Sequence, residues 1–390
     1  MLSKFFTRFA AQAGDRLHAT AHSHHPWPDV ARLAHIEAWD DAVALTDRKW
    51  EKIFEEVIPQ VQDGLAQWLG WPDARQIVFA PNTHEFVLRL YSCLDFGKPV
   101  RVVTSSHEFH SFNRQTQRLE ETGRVQVTRV NAEPYATFSE RFIAAVKQAP
   151  CDMVWLSHVM FDSGFIAAPD LKAIADAAPA NALVVFDGYH AVGAIPVDCS
   201  GIADRAFYLG GGYKYLMSGE GACYLAVPRG CELRPVNTGW FAEFGELSQA
   251  RAGEVKYARD GMRFFGATFD ASGLYRMRAV LQLLAQEGVD ARKIQAHVAS
   301  LQAQFLAGLG ARNIAALPES ALVPPRGSAR GSFLTFDLEN AEAIERRLEE
   351  HHIGVDRRGK RLRFGFGVYH DAAYVEKLLA RLSEAFAEAA

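Results

Sequence analysis

The strongest constraint on this chain is a succession of short, unbroken apolar runs set between helical patterns. Ile77 to Ala80, Val100 to Thr104, Val125 to Val130, Met153 to Leu156, Leu183 to Phe186, Arg205 to Leu209 and Ala222 to Val227 are each of strand length. Helices are read at His84 to Leu94 and Leu171 to Ala178. Continuous β-branched runs between helices mark strands buried on both faces. The pattern predicts an α/β fold, with a large, mostly parallel seven-stranded sheet sandwiched by helices.

After Thr268 the pattern changes. A long helix from Ser272 to Gln286 leads to short runs at Phe333 to Phe336 and Arg363 to Phe366, then a final helix from Ala372 to Ala387. This reads as a smaller α+β C-terminal domain. The expected division is an N-terminal segment over 1–30, a large domain over 31–270 and a small domain over 271–390. A chain of 390 residues, 49% of them hydrophobic, can bury a core in each.

Charge and cysteine content narrow the function. Lys and Arg number 42 against 46 Asp and Glu, a net charge of −4, and no basic run points to nucleic acid. The five cysteines form no CxxC pair, and their odd number argues against a disulfide framework or structural zinc. A reducing compartment, the cytoplasm, fits best. No apolar run approaches the roughly 20 residues that span a bilayer. The opening residues 1–14 have a loose transit-peptide character but read better as an amphipathic helix docked on the body or on a neighbouring subunit. His18, His22, His24 and His25 lack downstream Cys or His spacing to complete a metal site, so a loop or substrate-channel role is expected and no metal.

The chemistry concentrates in two strand-to-turn segments, Val184-Val185-Phe186-Asp187-Gly188-Tyr189-His190 and Tyr208-Leu209-Gly210-Gly211-Gly212-Tyr213-Lys214. Ligands of open α/β sheets bind at the carboxyl ends of the strands, so Asp187 and Lys214 are expected in one cleft. Asp187 alone would pass for a turn residue and Lys214 alone for a surface lysine. Together they suit pyridoxal 5′-phosphate (PLP), which a lysine holds as an imine while a carboxylate keeps the pyridine nitrogen protonated. The three glycines before Lys214 would let backbone approach the cofactor. Gly210 to Gly212 match neither GxGxxG nor GxxxxGK[ST].

Asp187-Gly-Tyr-His190-Ala-Val-Gly-Ala-Ile-Pro-Val-Asp198, followed by Gly211-Gly-Tyr213-Lys214-Tyr-Leu, resembles the signature of the PLP-dependent class V aminotransferase superfamily, most closely its kynureninase branch. The resemblance runs from about Gln67 to the C-terminus. It implies PLP fold type I and a homodimer with sites shared between subunits. It makes Lys214 the Schiff-base lysine, Asp187 the partner of the ring nitrogen, and His190 a neighbour of the ring substituents or phosphate. Tyr213 becomes a phosphate ligand and proton donor. Asn82 and Thr83 fall where a helix N-terminus receives the phosphate. Phe109 falls where an aromatic ring stacks on the pyridine. Trp240 and Thr268 match segments that reach the phosphate from the neighbouring subunit. Arg363, in Arg361-Leu-Arg363-Phe-Gly-Phe-Gly-Val-Tyr369, matches the arginine that clamps the substrate carboxylate.

Departures fall on the substrate side. Kynureninases carry Phe-Pro-Thr-Asp where this chain has Phe109-His110-Ser111-Phe112, so a cofactor hydrogen bond is missing or supplied elsewhere. Their early Asn-Ser-Leu-Gly is His22-Ser23-His24-His25-Pro26 here, and their Tyr-Asn is Tyr369-His370. Residues 351–363 hold no cysteine, against desulfurase chemistry. The expected activity is hydrolysis of a γ-oxo amino acid or related Cα/Cβ chemistry, with transamination or β-elimination on another amino acid as the alternative. A ligand- or partner-binding protein without turnover is opposed by intact Asp187, Lys214 and Arg363.

Overall fold

A computed structural model describes residues 1–148, 150–243 and 253–387. The large sheet is built from β2 (Ile77–Ala80), β3 (Val100–Ser105), β4 (Val125–Val130), β5 (Met153–Ser157), β6 (Leu183–Asp187), β7 (Phe207–Gly211) and β8 (Cys223–Ala226); the two-residue β1 (Leu17–His18) lies outside it. Its order is β2-β8-β7-β6-β5-β3-β4. Strands β3 to β7 pair in parallel, whereas β8 runs antiparallel to both β2 and β7. Every residue of β2, β5, β6, β7 and β8 is buried, as unbroken apolar runs require. β4, at the sheet edge, exposes Gln126, Thr128 and Arg129.

One strand lies two residues further along than its apolar pattern suggests. Arg205 and Ala206 donate their N–H groups back to Ile202 O and so close a turn. The Arg205 guanidinium meanwhile spans to Ala182 O and Pro179 O, at 2.8 Å each. β7 therefore starts at Phe207 and ends at Gly211, three residues before Lys214.

The C-terminal region carries β9 (Leu322–Val323), β10 (Phe333–Asp337), β11 (Ile353–Gly354), β12 (Asp356–Arg358) and β13 (Arg361–Gly365). Four of these form an antiparallel sheet in the order β12-β13-β10-β9. Its core is separate from that of the large sheet. The helix Ser272–Gln286 serves both, with Leu274 and Met277 in the first and Val280 and Leu284 in the second.

The N-terminal segment is stitched onto this smaller core. Leu2 and Phe6 are buried in it, and the short helix Thr7–Ala13 is held by Asp29, whose carboxylate accepts from Thr7 N–H and Arg8 N–H. β1 pairs in parallel with β11, and Thr20 bridges to Gly365. The segment thereby delivers His22 to the end of β13.

Candidate active site

Parallel register carries the carboxyl ends of β5, β6 and β7 to one level, with Ser157 opposite Asp187 and Asp187 opposite Leu209. Asp187 closes β6, is 4% exposed, and its Oδ1 accepts from Tyr189 N–H at 2.9 Å. Three residues past β7, Lys214 is 5% exposed and its Nζ is hydrogen-bonded to His190 Nε2. The ammonium position faces the rings of Phe109, Tyr189 and Tyr213 at 5.4–5.6 Å.

Burial dominates the electrostatics here. It pushes the Lys214 amine well below its ordinary value, and the nearby Arg363 charge adds to the effect. Burial raises the Asp187 carboxyl against the opposing hydrogen bond from Tyr189 N–H and the pull of Lys214. His190 is held neutral by burial and by the Lys214 charge. The cluster thus offers a lysine that can be an uncharged nucleophile near neutral pH, beside a carboxyl that gains from a cation placed against it.

Arg363, 2% exposed, lies on β13 and caps the cluster from the four-stranded sheet. Its Nε donates to Asp356 Oδ1 at 2.9 Å, its Nη2 donates to the same oxygen, and its Nη1 donates to Phe161 O. Of the five guanidinium N–H groups, one on each Nη is left for a ligand. Phe333 lies beneath three of these side chains. Its ring is 5.6 Å from the Arg363 guanidinium, 5.4 Å from the His190 ring and 4.6 Å from the stacked His22 ring.

The other sequence-read residues fall in different places. Asn82 caps the helix Thr83–Tyr91, its side chain accepting from Glu85 N–H, and Thr83 is buried with its hydroxyl 3.8 Å from Cys223 Sγ. Trp240 is 47% exposed and Thr268 is exposed, so neither joins the buried cluster around Lys214 within one subunit. Their loops meet at the backbone: Phe241 N–H donates to Gly266 O, and a Cβ on Gly239 would overlap Gly266 O.

The glycine run requires a correction. Side chains of the protein itself fill the space beside it: a Cβ would strike Tyr224 at Gly210, Tyr189 at Gly211 and Ser218 at Gly212. These glycines admit tyrosine rings and a serine, a reason for glycine here that the sequence reading did not give.

The four histidines also separate. His18 pairs with the Tyr369 hydroxyl, His24 stacks on Tyr213, and His25 is bound to Pro26 O. His22 is fully buried, and neither ring nitrogen has a hydrogen-bond partner among the described residues.

Sequence reasoning passed over two carboxylates. Glu108 is buried between the ends of β3 and β5, accepting from Ser105 Oγ at 2.5 Å, Ser157 Oγ at 2.6 Å and Ser157 N–H at 3.0 Å. Burial pushes its carboxyl up to about 7. It stands on the turn that presents Phe109, and an acid between a strand end and an aromatic residue was the available signal. Phe112, in the place of the family's Asp, stacks on Trp155 at 4.3 Å and belongs to the core. The second carboxylate is Asp162, which accepts from His107 Nδ1 at 2.6 Å and from Arg361, tying the small sheet to the turns after β3 and β5.

Solved structures share this architecture over nearly its whole length. A C-DES variant with glycine covalently linked to its PLP cofactor matches with a TM-score of 0.81 at 19% identity, over 98% of each chain. The apo cysteine desulfurase of Thermococcus onnurineus NA1 matches at 0.77 and 18% identity, over 95% of this chain and 94% of that one. The fold is PLP fold type I. The chain belongs to the class V aminotransferase family, whose model, described as Aminotransferase class-V, matches residues 21–378. A kynureninase from Pseudomonas fluorescens is 30% identical over 222 residues, 55% of this chain and 51% of that protein. An isopenicillin N epimerase from Streptomyces clavuligerus is 26% identical over 203 residues, 51% of this chain and 50% of that protein. The chain spans about half the length of the curated relatives it matches.

The cofactor of this family is PLP, and the residues present fit it. Lys214 would supply the amine and Asp187 would place a buried carboxyl beside it. His190 Nδ1 is a buried polar atom without a partner among the described residues. The helix beginning at Thr83 offers first-turn N–H groups to a phosphate.

Proposed function

We propose that this chain is a PLP-dependent enzyme acting on an α-amino acid, with kynureninase-like hydrolysis at the Cβ–Cγ bond of a γ-oxo substrate as its reaction. The observation that carries the reading is the Lys214–His190 pair. A buried amine held below its usual basicity, next to a neutral imidazole, is poised for bond formation and proton transfer near neutral pH. Bound PLP supplies an electron sink for negative charge developing at the substrate Cα.

The protein's own residues do the rest. Lys214 takes the Cα proton and returns it. Asp187, buried at the end of β6, holds the pyridine nitrogen protonated. Arg363 orients the substrate carboxylate with the N–H group left on each Nη, while Asp356 fixes its plane. Tyr213, half-buried beside the lysine, is a phosphate ligand and proton donor, and Phe109 stacks on the ring.

A cytoplasmic homodimer completes the site, Trp240 and Thr268 reaching the partner's cofactor phosphate. Support comes from exposed apolar surface: Leu33, Ile36, Trp39 and Val43 form a stripe along the helix Asp29–Leu45, with Trp39 71% exposed. Transamination and β-elimination use the same residues and differ in the fate of the charge at Cα.

The test is a spectral and product screen of the holoprotein against kynurenines, Cys, Ala, Asp, Ser and common 2-oxo acids. Anthranilate-type release with alanine as co-product supports hydrolysis. Amino-group exchange with a 2-oxo acid, or release of a β-substituent, replaces it with an alternative. Spectral shifts without product from any of them favour the binding role.

A further inference from the structure

His22 is a buried polar side chain with no visible protein function. Its ring lies flat on Phe333 at 4.6 Å and 23°, is fully excluded from solvent, and has no hydrogen-bond partner at either nitrogen among the described residues. Buried polar atoms are seldom left unpaired, because they forfeit hydrogen bonds to water without replacement. An apolar side chain at this position would avoid that cost.

The surrounding backbone is arranged to seat this ring. Gly365 N–H donates to Ala19 O at 2.7 Å, and the Thr20–Gly365 bridge aligns the segment with β13. A Cβ at Gly365 would overlap the His22 ring, so the glycine makes its seat. Phe333 places His22 in one cluster with His190 and Arg363. Burial and the charges of Arg363 and Lys214 keep the imidazole uncharged, so it offers one N–H donor and one lone pair.

We propose that His22 determines substrate specificity by hydrogen-bonding an oxygen on the substrate's side chain, so that the site selects α-amino acids bearing a side-chain carbonyl or carboxylate. The inference rests on the proposed amino-acid site. There the cofactor that Lys214 would hold and the Arg363 guanidinium engage the amine and the α-carboxylate that all such substrates share. Neither of them reads the side chain, and His22, unpaired at both ring nitrogens among the described residues, shares the Phe333 floor with Arg363 and His190. The positive neighbours favour an oxygen acceptor over a cationic side chain.

The experiment titrates the holoprotein with L-alanine, L-aspartate and L-kynurenine, following the visible spectrum of the cofactor, in the unaltered chain and in H22A and H22N. The expected result is binding of L-aspartate and L-kynurenine weakened about tenfold in H22A, as loss of one hydrogen bond implies. L-Alanine should be unaffected, and H22N should recover part of the loss. Equal weakening for all three amino acids, or no change for any, overturns the assignment. Should H22A fail to fold, H22N decides: L-aspartate binding weakened more than L-alanine binding supports the role, and equal effects overturn it. No spectral response to any amino acid in the unaltered protein overturns the amino-acid site itself, and with it the role of His22.

Discussion

Lys214 Nζ and His190 Nε2 are hydrogen-bond partners inside a buried cluster, although each is a base that can take up a proton in water. Burial weakens both, yet the lysine's second influence is Arg363, which lies on the other sheet. Apoprotein reconstituted with PLP should therefore show a pH midpoint for recovery of the visible band that moves up in Arg363→Leu, which removes a repelling charge. His190→Gln should move it little. Lys214→Ala should never recover the band. Stopped-flow absorbance across a pH series measures all three.

Asp356 holds Arg363 through two of its nitrogens. Removing one partner of a buried pair leaves the other uncompensated, at a cost of about 3–5 kcal/mol. Asp356→Ala should lose stability of that order in urea unfolding and bind amino acids more weakly, because the guanidinium plane is no longer fixed. Asp356→Asn keeps an acceptor and should fall between. An Asp356→Ala protein as stable as the parent would refute the bracing role.

Glu108 has a carboxyl raised by burial to about 7, against an ordinary 4.5. An acid raised on folding binds its proton more tightly in the native state, so its contribution to stability falls as pH rises from about 4.5 to about 7. Glu108→Gln cannot titrate and should flatten that part of the profile. Glu108→Ala strands Ser157 N–H and two hydroxyls, and should cost about 1–3 kcal/mol per buried group left unpaired. Denaturant midpoints between pH 4 and pH 8 test both.

Three histidines, His25 and His158 buried and His18 half-buried, shift the other way. Burial lowers His18 and His158 to about 4 and His25 to about 3, from an ordinary 6.5. For a base lowered on folding, the unfolded chain takes the proton first. Stability is then present above pH 6.5 and is lost as pH falls from 6.5 toward about 4. His18 and His25 lie in the N-terminal segment, so acid should loosen that segment early. Protection factors for hydrogen exchange of residues 17–25, corrected for the slower intrinsic exchange at lower pH, should be smaller at pH 5 than at pH 7, and His25→Phe should reduce the difference.

The strand runs, the position of Asp187 at a strand end and the signature around Lys214 were legible because each depends on local pattern. An apolar run buried on both faces can be read from its own residues, as Leu183 to Phe186 shows. The shift of β7 was not legible. It depends on Arg205 reaching Pro179 and Ala182, which are remote in sequence.

The sequence by itself determined the α/β architecture, the family and the residue types of a lysine-centred site, because periodicity and spacing are carried along the chain. Only the tertiary structure decided which side chains surround that lysine. It put tyrosine rings beside the glycines, Asp356 on Arg363, Glu108 across two strand ends, and an unpaired His22 over Phe333. Hydrogen-bond partners and desolvation depend on the distances between segments far apart in sequence, and folding alone sets those distances.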